Sequence, residues 1–158
     1  MTVKDHSTGI THLSALPLKQ PKFVAHELDK LFGLIGYPSI FQTDNGSEFT
    51  AKELLEVLKA INPHIQTVTG RPRKPSDQGS VENMNKQVKR VLKCTETEER
   101  QSGRRPNWTN LLGRVMAALN KHNGKGKNSV SSYEAVFGMP YDPSVLCSID
   151  DMRDCTTI

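Results

Sequence analysis

From Pro38 to Leu92 the apolar residues switch three times between an extended and a helical period, and that succession limits what the chain can fold into. Pro38-Ser-Ile-Phe-Gln-Thr-Asp44-Asn-Gly is a short apolar run that ends on an acid and a glycine turn. Thr50-Ala-Lys-Glu53 has the form of a capping box, in which hydroxyl and carboxylate satisfy orphan backbone donors at a helix start. Leu54, Leu55, Leu58 and Ile61 follow at helical spacing until Asn62-Pro63 stops them. Ile65 to Thr69 then alternates in a β-favouring run. Gly70 to Gly79 is too rich in Pro and Gly to be regular and reads as a mobile loop. The helix expected after it buries Val81, Val88, Val91 and Leu92. Upstream, Phe23, Val24, Leu28, Leu31, Phe32 and Ile35 predict a helix from Lys22 to Ile35, closed by Gly36-Tyr-Pro38. Strands alternating with helices define an α/β class.

Two acids stand at the junctions of this pattern. Asp44 ends a strand and Glu82 lies near the start of a helix, with 37 residues between them. The two can meet at one edge of a sheet. Hard divalent cations take oxygen ligands, usually few carboxylates together with water and phosphate, so such a pair suits magnesium and phosphoryl transfer. Each acid also has a plainer reading. Asp-Asn-Gly is a common turn in which the Asp caps its own backbone, and an acid near a helix start is favoured by the dipole.

Charge is unevenly spread. Gly70 to Val130 holds 14 Lys and Arg against 5 Asp and Glu, a net +9, while the remaining residues total −5. A basic half beside an acidic half points to a polyanionic partner such as DNA, against the alternative of a merely solvated helix face. Glu82, Lys86, Lys89 and Lys93 follow at helical steps on one face, with Arg71, Arg73, Lys74 and Arg90 close in sequence. Lysine on phosphate reads charge and not bases, so the contact expected is independent of sequence. Cys94, Cys147 and Cys155 are an odd number, and neither they nor the five histidines have zinc-ligand spacing. Reduced thiols and the lack of a long apolar stretch or signal peptide predict a nuclear or cytoplasmic chain without membrane contact.

At Thr-Asp44-Asn-Gly-Ser-Glu-Phe49 and Pro75-Ser-Asp-Gln-Gly-Ser-Val-Glu82-Asn-Met-Asn-Lys-Gln-Val-Lys-Arg90 the chain resembles the catalytic core of retroviral and Ty3/gypsy-like LTR-retrotransposon integrases, over Thr2 to Pro140. Ser132-Tyr-Glu-Ala-Val-Phe-Gly138 resembles the segment that closes many retrotransposon cores, with Ser132 where a Pro is usual. The resemblance implies an RNase H-like fold: a mixed sheet with helices on both faces. It makes Asp44 and Glu82 the second and third acids of an Asp-Asp-Glu triad, holding Mg²⁺ or Mn²⁺ for DNA integration by strand transfer. Gln78, Lys86 and Lys89 match positions that approach the DNA end.

Thr2 to Lys19 reads as two short strands around a turn at Ser7-Thr8-Gly9, with Ile10, Leu13 and Leu16 as core contacts. By resemblance these are the second and third strands of the sheet, and Asp5 matches an acid at the end of the second. The first acid of the triad belongs to a strand that would precede Met1, so the sheet expected here lacks its first strand. Metal binding is then weak and catalysis impaired, because two cations would sit close together without the bridging carboxylate. The edge left beside Val3 predicts self-association into a homodimer. The alternative is a non-catalytic DNA-binding or dimerising module adopted by a host genome. A polar break is expected from Cys94 to Asn107, then a helix with Trp108, Leu112, Val115 and Leu119 as its stripe, then a basic loop from Lys121 to Asn128. Residues 1–140 form the core-like domain in this reading and 141–158 an acidic tail.

Overall fold

Pro21 opens a helix at a position where the backbone N–H has no intrahelical partner in any case, so the missing donor costs nothing. The computed structural model describes residues 1–43, 52–69, 75–121 and 130–141, and of residues 53, 69 and 75–82 the backbone alone. The order is β1 (Thr2–Lys4), β2 (Thr11–Leu13), α1 (Pro21–Ile35), β3 (Ile40–Thr43), α2 (Lys52–Ile61), β4 (Gln66–Thr69), α3 (Pro75–Gln101), α4 (Trp108–Lys121) and α5 (Ser132–Phe137). The chain divides into two compact units: Met1 with Ser14–Glu82, and Thr2–Leu13 with Asn83–Ile158.

In the first unit α1 packs on α2. Val24 and Leu28 of α1, with Leu54 and Leu58 of α2, are almost wholly removed from solvent. Burial of such side chains stabilises by about 1.5–3 kcal/mol each. Phe32 meets Phe41 edge-on, with ring centroids 6.1 Å apart, and so ties α1 to β3. β3 and β4 pair in parallel, from Ile40↔Gln66 to Thr43↔Thr69. Side chains alternate across a strand: Phe41 and Thr43 are buried, whereas Ile40 and Gln42 are exposed.

In the second unit β1 and β2 pair antiparallel, from Thr2↔Leu13 to Lys4↔Thr11. The turn between them is held by Asp5, whose Oδ2 accepts from the Thr8 N–H at 2.8 Å and the Thr8 hydroxyl at 2.7 Å. Gly9 has φ +76°, and a Cβ there would stand 3.0 Å from Ser132 Oγ. Any side chain at Gly9 would therefore meet both backbone strain and a close neighbour. α4 lies against β2; Leu111, Val115 and Ala118 are buried with Leu13 and Met84, and Thr11, Thr95, Asn120 and Ser131 are buried polar residues of the same unit. α5 is capped at both ends: Ser131 Oγ accepts from the Glu134 N–H, and Gly138 adopts the left-handed conformation.

Antiparallel and parallel pairing, both expected of a mixed sheet, occur here in separate two-stranded ladders among the described residues. Three expectations are corrected. Pro75 to Gly79 is not loop but the first turn and more of α3; Pro at the first helical position and Asp77 in the first turn suit a helix start, and a 27-residue helix absorbs the roughly 1 kcal/mol cost of Gly79. Cys94 to Gln101 is not a break but the continuation of α3. That stretch lacks an apolar stripe, yet Thr95 is fully buried and Arg114 bonds to Glu98 and Glu99. In α4 the buried line runs through Leu111, Val115 and Ala118, while Trp108 is exposed and Leu112 half-buried. The Asn107 carboxamide caps the start of α4: its Oδ1 accepts from the Thr109 N–H and hydroxyl. The Lys121 to Asn128 loop and the 141–158 tail lie almost wholly outside the described residues.

Candidate functional site

Thr43 and Thr69 are register partners at the carboxyl end of the β3–β4 ladder. In α/β folds ligands bind beyond the carboxyl ends of parallel strands, where the loops diverge. The next residue after Thr43 is Asp44, and Arg71, Arg73 and Lys74 follow shortly after Thr69. All four lie outside the described residues. Gln78 and Glu82 belong to α3 by backbone, Glu82 roughly two turns inside it at 3.6 residues per turn. It is thus deeper in the helix than the sequence pattern implies. Among the described residues no group of three or more His, Cys, Asp or Glu can hold a metal ion.

Lys86 stands four residues after Glu82 on the same helix, and Lys86, Lys89 and Lys93 are all exposed. No ion pair joins any of the three to an acid among the described residues. Met84 and Val88, from other faces of α3, are buried and half-buried. Apolar packing thus sets which way the lysines point. Met84 Sδ accepts from the buried Thr11 hydroxyl at 3.5 Å, which fixes the helix against β2.

Toward its carboxyl end α3 turns acidic, and those acids are already engaged. Glu99 Oε2 accepts from Arg104 Nε at 2.6 Å, and Glu99 Oε1 from Arg114 Nη1 at 2.6 Å. Arg114 Nη2 reaches Glu98 Oε2 at 3.3 Å. The Arg104 hydrogen bonds hold the Glu99 carboxyl below its ordinary range, against the push of burial and with help from Arg114. The same bonds push Arg104 further up. Sequence reasoning missed this cluster, because Glu98, Glu99, Arg104 and Arg114 come from a stretch read as irregular and from the next helix. Its one visible signal is the Glu98-Glu99 pair set against the arginines that follow.

No family model matches the chain. It is 30% identical over 135 residues to human KRAB-A domain-containing protein 2, an alignment that takes in 85% of this chain and 26% of that protein. It is 32% identical over 120 residues to the Pro-Pol polyprotein of feline foamy virus, covering 76% of this chain and 10% of the polyprotein. The chain therefore spans about a quarter and a tenth of the lengths of these relatives. Among solved structures it matches the catalytic core domain of BIV integrase with a TM-score of 0.69 and 23% identity, over 87% of this chain and 84% of that one. The simian T-cell lymphotropic virus intasome in complex with PP2A regulatory subunit B56 gamma matches with a TM-score of 0.73 and 19% identity, over 90% and 49%. The HTLV-2 integrase catalytic core domain in complex with magnesium, in a trimeric form, matches with 0.68 and 20%, over 84% and 80%. On this fold and these sequence relatives, the chain is a retroviral integrase catalytic core-like domain.

Proposed function

We propose that residues 1–158 bind DNA as a domain of retroelement origin whose ancestral chemistry is integration by metal-dependent strand transfer. The observation that carries this reading is the exposure of Lys86 and Lys89 on the helix that bears Glu82, within an integrase core-like fold. Lys86 and Lys89 contact backbone phosphates, Gln78 lies beside them in sequence, and Arg71, Arg73 and Lys74 add charge from the preceding segment. Asp44 and Glu82 offer hard carboxylate oxygens, the donor type that Mg²⁺ or Mn²⁺ takes. A divalent ion there would stabilise charge on the entering and leaving oxygens of an in-line displacement. The magnesium complex of the HTLV-2 core supports that choice of ion, and the intasome supports DNA as the partner. No residue of this chain matches the first acid of the triad, so we expect weak metal binding and no strand transfer from residues 1–158 by themselves.

A second reading has its own support in the identity with human KRAB-A domain-containing protein 2. In it the domain is a host-adopted module that binds DNA or dimerises without catalysis. Both readings require DNA or self-association, and only the first requires that the acids matter.

The test is fluorescence anisotropy with a labelled duplex of arbitrary sequence across a salt series. Affinity should fall linearly in log–log form as salt rises, and Lys86→Ala with Lys89→Ala should flatten the slope by about 1–2 units. An unchanged slope would mean that these lysines touch no phosphate. Absence of salt-dependent binding would refute DNA as the partner.

A further inference from the structure

Helix α3 sorts its charges by face. Lys86, Lys89, Arg90, Lys93 and Arg100 are all exposed. At 3.6 residues per turn they fall within a stripe roughly 100° wide. Thr97, also exposed, is the neutral residue between Lys93 and Arg100, and its hydroxyl donates to the Lys93 carbonyl. No acid from Asn83 to Gln101 lies in the stripe. Glu98 and Glu99 are turned to Arg114 and Arg104, and Glu96 stands half-buried just outside its border. Like charges three and four residues apart destabilise a helix. Lys86–Lys89, Lys86–Arg90, Lys89–Lys93 and Arg90–Lys93 are all pairs of that kind. A surface selected only for solubility would intersperse acids among them, and from Lys86 to Arg100 this stripe has none.

We propose that the stripe from Lys86 to Arg100 is a track for the phosphate backbone of duplex DNA, so that the duplex follows α3 and is also held by Lys93 and Arg100. This rests on the DNA-binding reading above and extends it along the helix. From Lys86 to Arg100 the helix rises about 21 Å at 1.5 Å per residue. That length matches about six base pairs at 3.4 Å each. The stripe contains no aromatic or aliphatic residue, and a protein partner would need such an anchor. Charge without anchors suits a polyanion.

The experiment compares salt slopes on a 20-base-pair duplex for the full 158-residue chain, a Lys93→Gln/Arg100→Gln variant and the Lys86→Ala/Lys89→Ala variant. Loss of two phosphate contacts should flatten the slope by about 1.8 units, at about 0.9 per contact. Adding back charge as Lys93 with Arg100→Lys should restore the wild-type slope, which a merely structural role for these side chains would not predict. Unchanged circular dichroism and melting midpoint in the Gln variant would exclude misfolding, and a misfolded variant transfers the decision to Arg100→Lys against Arg100→Gln alone. If Lys86→Ala/Lys89→Ala flattens the slope and Lys93→Gln/Arg100→Gln does not, DNA binding stands and the track is wrong. If the wild-type chain binds no duplex, both readings fall together.

Discussion

Asn120 and Thr11, 109 residues apart in sequence, exchange two hydrogen bonds of 2.8 Å: the Thr11 N–H donates to Asn120 Oδ1, and Asn120 Nδ2 donates to the Thr11 carbonyl. An antiparallel ladder turns alternate residues outward. The bonds from Asp5 N–H to the Ile10 carbonyl and from Ser14 N–H to the Met1 carbonyl set the phase. Thr11 faces away from β1 in that phase. The carboxamide of Asn120 therefore stands where a neighbouring strand would, and satisfies a backbone that water cannot reach, since Thr11 is 1% exposed.

Replacing Asn120 by Ala should destabilise the protein by about 2–4 kcal/mol, because two buried backbone groups lose their partners together. Asn120→Asp should cost at least as much: it keeps the acceptor, loses the donor and places a charge in a buried site. Urea denaturation of the three proteins measures both. A cost below about 1 kcal/mol for Asn120→Ala would show that the pair adds little.

The register of α4 makes a sharper comparison. Leu111 is buried and its neighbour Leu112 is half-buried. Leu111→Ala should cost about 2–5 kcal/mol and Leu112→Ala about half as much. The reverse order in chemical denaturation would restore the stripe through Leu112 that the sequence predicts.

Asp5 gives a pH dependence. Burial alone would raise its pKa, but the hydrogen bonds from the Thr8 side chain and the backbone of Thr8, Ser7 and His6 prevail and hold the carboxyl below its ordinary 3.8. A group depressed on folding contributes stability that is present above its unfolded pKa and is lost as pH falls through the folded one. Wild-type protein should therefore lose stability below about pH 4 faster than Asp5→Asn does. Parallel melting curves between pH 6 and 3 would show that the turn carries no such linkage.

Catalysis separates the two readings of function. Residues 1–158 alone should join no oligonucleotide resembling an element end, with Mg²⁺ or with Mn²⁺. Placing an integrase strand with its Asp ahead of Met1 should raise metal affinity in titration calorimetry. Asp44→Asn or Glu82→Gln should abolish that gain, each removing a charged ligand while keeping shape. Metal-dependent joining by the unextended chain, lost on Asp5→Asn, would show that Asp5 is the first carboxylate.

Much of this fold is legible because local signals agree with tertiary ones. The α1 stripe of Val24, Leu28, Leu31 and Phe32 is buried as its spacing predicts, and Pro21 and Gly36 mark its limits. Where the reading failed, distant partners decided. Cys94 to Gln101 has no periodic apolar face, and its helix is held through Thr95 and through arginines that follow Gln101. The inward turn of Asn120 is equally silent in sequence, since a polar residue after Leu119 reads as surface. That Lys86, Lys89 and Lys93 share an exposed face follows from their helical spacing, whereas Asp44, Arg71, Arg73 and Lys74 fall on segments outside the described residues.

One unit of this protein joins residues 2–13 to residues from Asn83 onward. That arrangement has a consequence for the order of synthesis. Within this unit the β1–β2 hairpin is made before the helices, yet a two-stranded hairpin is at best marginal in water. Its partner Asn120 is translated 109 residues later. At about 5–20 residues per second the hairpin waits on the order of 5–20 s for the helix that completes it. Ser14 to Glu82 emerges in the interval and can collapse around α1 and α2 without it. The hairpin is thus made before the helices that complete it and is secured only once they have followed.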